Sequence, residues 1–103
     1  MLRRDRFADL VRRQLDLLAS DESELIAEAE DADAAWTKAS RDDSEELFGD
    51  YQLIVDVVGE RLYDVRETYA SSLDEGTAEE YRRTFNRAAS KRFRRYATFL
   101  EED

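Results

Sequence analysis

Apolar residues recur at every third or fourth position over most of this chain, which is the spacing that places side chains on one face of an α-helix. The longest series predicts a helix over about 44–75, roughly 45 Å long, and consists of Leu47, Tyr51, Ile54, Val58, Leu62, Val65, Tyr69 and Leu73. Leu53 and Val57 lie off this series, one turn apart. A helix that is apolar on two sides packs between neighbours or contributes to a dimer.

Three shorter helices are predicted from the remaining apolar series. The first covers about 4–19 and contains Phe7, Leu10, Val11, Leu15, Leu17 and Leu18. The second follows capping residues at 20–24 and has a coiled-coil-like seam of Leu25, Ala29, Ala32, Trp36 and Ala39. These two segments could also form one kinked helix. The last helix covers about 77–100 and buries Tyr81, Phe85, Ala88, Ala89, Phe93, Tyr96, Phe99 and Leu100.

Capping signals and glycines set the predicted boundaries. Asp43 with Glu46 has the spacing of a capping box, and Gly76 stands where a left-handed C-terminal cap is needed, just before a second capping box at 77–80. Gly49 and Gly59 fall inside the long helix, where close packing is the usual reason for glycine. The chain therefore predicts a single all-α domain over 1–103. We expect an antiparallel four-helix bundle whose long third helix pairs with the C-terminal helix, and a frayed acidic tail at 101–103.

The composition excludes several classes of chemistry. The 103 residues include no cysteine and no histidine, which excludes disulfides, thiolate nucleophiles and histidine-containing catalytic or metal sites within the chain. The three glycines stand apart, so there is no glycine-rich phosphate loop, and no cofactor is expected. The longest apolar run, at 53–55, is too short to span a membrane, and the basic N-terminus lacks the apolar core of a signal peptide. A soluble, cytoplasmic protein is the prediction.

The charge is strongly acidic. Asp and Glu number 26 against 16 Lys and Arg, for a formal net charge of -10, and Lys38 and Lys91 are the only lysines. This composition resembles that of cytosolic proteins from salt-accumulating microbes, in which concentrated salt screens surface repulsion. A mesophile with a GC-rich genome is the alternative source.

The last predicted helix nevertheless concentrates cations. A helical projection places five of them on the side opposite the aromatic residues: Arg83, Arg87, Lys91, Arg94 and Arg95. Such a face pairs with a second copy, with a nucleic acid, or with carboxylates of the same chain, of which the long helix offers Asp56, Glu60, Asp64 and Glu67.

Arg92 differs from these five cations because the projection places it among the aromatic residues. A buried arginine requires a carboxylate, and Asp33 and the acids of the long helix or of a second subunit are the candidates for a structural ion pair. The alternative is that Arg92 extends along the edge of the core.

Four acidic residues are candidates for a Mg²⁺ site. Glu24 with Glu28, and Glu46 with Asp50, are each one helical turn apart. The segment SEELFGD at 44–50 resembles the all-α NTP pyrophosphohydrolases, a family that uses Glu and Asp on paired helices for metal-dependent release of diphosphate. The carboxylates of that family are three residues apart, whereas these pairs are four apart.

Three functions follow from these patterns. The first is a non-enzymatic interaction or assembly module that self-associates, most simply as a homodimer, through apolar surface such as Leu53 and Val57. The second is a nucleic-acid-associated protein that uses the five exposed cations of the last helix. The third is a Mg²⁺-dependent nucleotide hydrolase that uses the four acidic residues.

Overall fold

A computed structural model describes residues 5–98 and residue 100, which fold into four α-helices without a β-strand. The helices are α1 (Ala8–Asp21), α2 (Ser23–Thr37), α3 (Arg41–Ala70) and α4 (Glu75–Arg92). The prediction of an all-α fold with four helices is confirmed. Predictions for residue 4, Phe99 and the acidic residues at 101–103 lie outside the described residues. Residues 5–7, predicted within the first helix, precede α1 instead.

The long third helix has 30 residues, as its apolar series predicts, but it begins earlier than expected. Ser40 precedes the first turn with extended backbone, and its hydroxyl donates to the carboxylate of Asp43 at 3.2 Å. Asp43 therefore lies inside the helix and is not its N-cap. Serine is a common residue immediately before a helix, and the helix begins three residues before the predicted position 44.

The end of α3 also differs from the prediction, because the helix stops at Ala70 rather than near residue 75. The hydroxyl of Ser71 donates to the carbonyl of Thr68 at 2.8 Å, and that of Ser72 donates to the carbonyl of Tyr69 at 2.7 Å. Serine side chains that bond to backbone carbonyls compete with helix continuation. These two serines therefore terminate α3.

Helix α4 begins at Glu75, and its N-cap is Asp74 and not the expected Thr77. The carboxylate of Asp74 accepts a hydrogen bond from the amide of Thr77 at 2.9 Å, and the Thr77 hydroxyl donates to the same carboxylate at 2.9 Å. Gly76 lies in the first turn of α4 with negative φ, so it is not a left-handed C-terminal cap.

The segment after α4 is the largest departure from the predicted fold. The helix ends at Arg92, whereas the apolar series continues to Leu100. The carbonyl of Phe93 accepts bonds from the amides of Tyr96 and Ala97 at 2.9 and 3.0 Å, so the chain turns there. Phe93, Tyr96, Ala97 and Leu100 are nevertheless buried. Periodicity identified Phe93, Tyr96 and Leu100 as core residues correctly, but it missed Ala97, and all four lie outside the helix.

Helix α3 contacts the other three helices; α2 packs chiefly on α3, and α4 packs on α1 and α3. The central core contains Val11, Leu15, Val58, Leu62, Tyr81 and Phe85, none more than 2% exposed. A second group of aromatic side chains joins α2 to the first half of α3. The Trp36 ring stacks on Tyr51 with 6.0 Å between centroids and lies 4.9 Å from the ring of Phe48. Trp36 thus packs at the end of α2 where its seam predicts a large anchor.

Candidate functional site

A groove of about 630 Å³ lies between the end of α1 and the second half of α3. Its apolar lining includes Leu17, Leu18, Val65 and Tyr69. Leu17 is 62% exposed, whereas Leu18 is buried. A surface hollow of this kind, with leucine, valine and tyrosine in its walls, can accept an apolar side chain from another molecule.

The rim of the groove is mainly acidic. Asp21 and Glu22 line it from the junction of α1 and α2, and Asp64 lines it from α3. Arg61 is the one cation in the lining, and its guanidinium is 3.3 Å from the carboxylate of Glu22. This ion pair joins the start of α2 to α3. Because Arg61 and Glu22 neutralise each other, the negative charge of the rim comes from Asp21 and Asp64.

Gln14 lies where the groove meets the core. Its side-chain oxygen accepts a hydrogen bond from the hydroxyl of Tyr81 at 2.7 Å, which joins α1 to α4. Burial raises the pKa of Tyr81 to about 12 despite this bond. The pair is therefore a neutral structural contact and not an acid–base site at ordinary pH.

Two further apolar residues lie nearer the N-terminus of α3, on the side that carries Asp64 and Thr68 of the groove. Leu53 is 67% exposed, and Val57 is half-buried. Both residues share a side of α3 with Asp64 and Thr68 of the groove, because their separations are helical repeats of four, seven and four residues. We call Leu53, Val57 and the groove the apolar side of α3.

Three cations of α4 and the turn after it are paired with carboxylates of other elements. Arg82 makes two bonds of 2.9 Å to Glu67 of α3. Arg92 pairs with Asp16 of α1, and Arg95 pairs with Asp33 of α2. Of the acidic residues predicted on the long helix, Glu67 meets α4, whereas Asp56, Glu60 and Asp64 are exposed.

Four other cations form what we call the cationic face: Arg83, Arg87, Lys91 and Arg94. All four are exposed. The guanidinium of Arg87 lies 3.8 Å from Asp5, whose carboxylate also accepts bonds from the Thr84 hydroxyl and the Phe7 amide. Arg95 was predicted on this face, but it lies beyond the end of α4 and turns to Asp33 instead.

The prediction that Arg92 lies on the buried face is wrong. Its side chain is 41% exposed and pairs with Asp16 rather than Asp33. The buried arginine is Arg66, which is 2% exposed and lies on α3. Arg66 follows buried Leu62 by four residues and precedes buried Ala70 by four, so helical spacing could have identified it.

Arg66 is held by several groups. Its Nε donates to Glu67 at 2.8 Å, its Nη1 donates to Asn86 at 2.9 Å, and its guanidinium carbon is 5.0 Å from the centre of the Tyr63 ring. Glu67 is shared with Arg82, whose hydrogen bond is the main cause that lowers the pKa of Glu67, with Arg66 contributing further. This cluster of two arginines and one carboxylate fastens α3 to α4.

The four candidate metal ligands do not form a site. Glu24, Glu28, Glu46 and Asp50 are all exposed. Within residues 5–98 and 100, no three acidic side chains are grouped as a metal ion would require. The carboxylates of α2 and α3 therefore do not converge as the resemblance to NTP pyrophosphohydrolases implies.

Two further findings concern the chain as a whole. None of the helices in the described part of the chain is long and apolar enough to cross a bilayer. No protein-family model, curated protein or solved structure is significantly similar to the chain. Its function must therefore be argued from its own surfaces.

Proposed function

We propose that the protein is a non-enzymatic interaction or assembly module that self-associates, most simply as a homodimer. The observation that carries the proposal is the 67% exposure of Leu53 on the same side of α3 as an apolar groove. Leu17, at the groove, is 62% exposed. Two leucines this exposed, Leu53 on α3 and Leu17 on α1, support an interaction surface.

The scaffold of this module is inferred to be antiparallel at α3 and α4. Residues further along α4 contact residues nearer the start of α3. Tyr69 meets Tyr81 with ring centroids 4.8 Å apart, and Arg66, nearer the start of α3, bonds Asn86, further along α4. The short turn between the helices supports the same arrangement.

A two-fold axis gives the simplest dimer. Leu53 and Val65 lie roughly 18 Å apart along α3. An axis that crosses α3 midway between them would place Leu53 of each copy against the groove of the other. Such an isologous contact uses the same surface twice and closes after two subunits.

The energetics favour a weak dimer. Full burial of a leucine contributes about 1.5–3 kcal/mol, and two-fold symmetry doubles the number of buried leucines. Opposed to this are the loss of free motion on association and three exposed acids, of which Glu60 and Asp64 lie on the same side of α3 as Leu53 and Asp56 lies beside it. Because salt screens like charges, the dimer is expected to strengthen as salt is added.

A charge placed on the apolar side tests the proposal. Leu53→Glu should shift the protein to the monomer in size-exclusion chromatography with light scattering, because a carboxylate in the contact would have to be desolvated. Gln52→Glu is the matched control, since it adds the same charge at the neighbouring exposed position, on another side of α3. Equal association of both variants and the unmodified chain would contradict the proposed surface.

A further inference from the structure

The cations around α4 divide into two groups that the sequence does not distinguish. Arg82, Arg92 and Arg95 each reach a carboxylate on another helix. Arg83, Lys91 and Arg94, all on the cationic face, have no carboxylate at ion-pair distance in the part of the chain that the structure describes. Although the chain has ten more acids than bases, no carboxylate among residues 5–98 neutralises these three cations.

We propose that the cationic face binds the phosphate backbone of a double-stranded nucleic acid. This inference goes beyond self-association and uses a different surface. The basis is charge complementarity. Neighbouring cations without counter-charges repel one another, and a row of phosphates relieves that repulsion while releasing condensed counterions from the nucleic acid.

The spacing of the cationic face suits a rigid polyanion. Arg83, Arg87 and Lys91 follow at four-residue intervals on α4, and Arg94 follows three residues later. The three cations on α4 extend over roughly 12 Å, and Arg94 lies in the turn beyond the end of the helix. A duplex carries one phosphate charge for about each 1.7 Å of its axis. The last three cations line one open hollow of about 500 Å³ together with Ser90. In addition, the planar guanidinium group of arginine can donate two parallel hydrogen bonds to the oxygens of one phosphate.

A duplex fits this face better than a single strand does. Proteins that bind single strands stack bases on exposed aromatic rings, but Tyr81 and Phe85 of α4 are fully buried. Contacts to phosphates need no such platform and carry no sequence information. The one amide side chain nearby, Asn86, is engaged by Arg66 and by the Leu100 carbonyl, so it does not read bases.

The overall charge limits the affinity. A net charge of -10 repels phosphates at long range, but at about 0.1 M salt that repulsion is screened beyond roughly 10 Å. We expect sequence-independent binding with dissociation constants on the order of 10⁻⁴–10⁻⁶ M.

Fluorescence anisotropy of a labelled DNA duplex, titrated with the full chain at several salt concentrations, tests the inference. Three phosphate contacts, from the unpaired Arg83, Lys91 and Arg94, predict that the logarithm of the binding constant falls with the logarithm of salt with a slope of about -2.7. The double variant Lys91→Gln/Arg94→Gln should bind about tenfold more weakly and reduce the slope to about -0.9. The matched control is Arg92→Gln/Arg95→Gln, which removes the same charge from adjacent positions that are already paired.

The control variant should retain the slope of the unmodified chain. Equal losses in the two double variants would overturn the inference, because they would mean that net charge alone governs binding. Absence of binding at low salt would also overturn it. Equally tight binding of a single-stranded DNA or of polyglutamate would reject the duplex as the partner. Circular dichroism of each variant verifies that it is folded before binding is compared.

Discussion

The guanidinium of Arg66 and the side-chain amide of Asn86 meet at 2.9 Å, between α3 and α4. Both side chains also donate to the carbonyl oxygen of Leu100, Arg66 at 3.5 Å and Asn86 at 3.4 Å. A buried cation is tolerated when its hydrogen-bond donors have partners. This pair therefore stabilises the turn after α4 against α3, at the place where the sequence predicts uninterrupted helix.

Replacement of Arg66 should be far more destabilising than replacement of Arg92. Arg66→Ala is expected to lower the free energy of unfolding by about 3–5 kcal/mol, because it removes a buried cation from its partners and leaves a cavity. Arg92→Ala removes an exposed ion pair and should lower it by about 1 kcal/mol or less. Urea denaturation of both variants measures the difference. Similar losses in the two would show that Arg66 does not stabilise this junction.

Acid should destabilise the protein through Glu67. Hydrogen bonds from Arg82 and Arg66 hold the pKa of Glu67 below its ordinary value in the folded chain. The unfolded chain therefore binds more protons as pH falls, and stability that is present above the unfolded pKa is lost below about pH 5. Free energies of unfolding at pH 7, 5 and 3 should show this loss.

Glu67→Gln is the variant that isolates this contribution. It should be less stable than the unmodified chain at pH 7, by about 2 kcal/mol, and it should lose less additional stability in acid. An acid dependence identical in both proteins would assign the loss to other carboxylates, such as Asp5, whose pKa is lowered chiefly by the Thr84 hydroxyl.

Replacement of Gly49 by alanine should stabilise α3. A Cβ atom at Gly49 would meet no atom within 4 Å, so the close packing predicted for this glycine is wrong. Alanine is favoured over glycine in a helix interior by about 0.5–1 kcal/mol. Thermal denaturation at low protein concentration should show a higher midpoint for Gly49→Ala. A lower midpoint would mean that residue 49 packs against another part of the protein after all.

Much of the fold follows from the sequence because α-helices bury residues at a fixed interval. The apolar series identified four helices and the buried residues Val58, Leu62, Tyr81 and Phe85. It also identified Phe93 as a core residue, but it did not reveal that the helix ends there. A turn that continues to bury every third or fourth residue has the same pattern as a helix.

The charged contacts were harder to predict than the core. The interpretation that Arg92 is buried is wrong, and Arg66 was overlooked, because an arginine's long side chain can reach a partner from more than one angular position on a helix. Which cations of α4 are paired depends on where Asp16, Asp33 and Glu67 lie in space. Sequence alone gives the charges of a helix, whereas pairing depends on how the other helices pack against it.

The acidic surface predicts a dependence of stability on salt. Acids outnumber bases by 26 to 16, and α3 carries Asp56, Glu60 and Asp64 on exposed positions. Molar KCl screens this repulsion and should raise the midpoint of thermal unfolding above its value in dilute buffer. An unchanged midpoint would remove the expectation that the composition is an adaptation to salt.

The most direct test of self-association through α3 is light scattering over a series of protein concentrations, in dilute buffer and in molar KCl. The measured mass should rise from one chain of 12.1 kDa toward twice that value, more readily in KCl, while Leu53→Glu remains a monomer in both. A mass that stays at that of one chain up to high concentration in both solutions would rule out the proposed dimer.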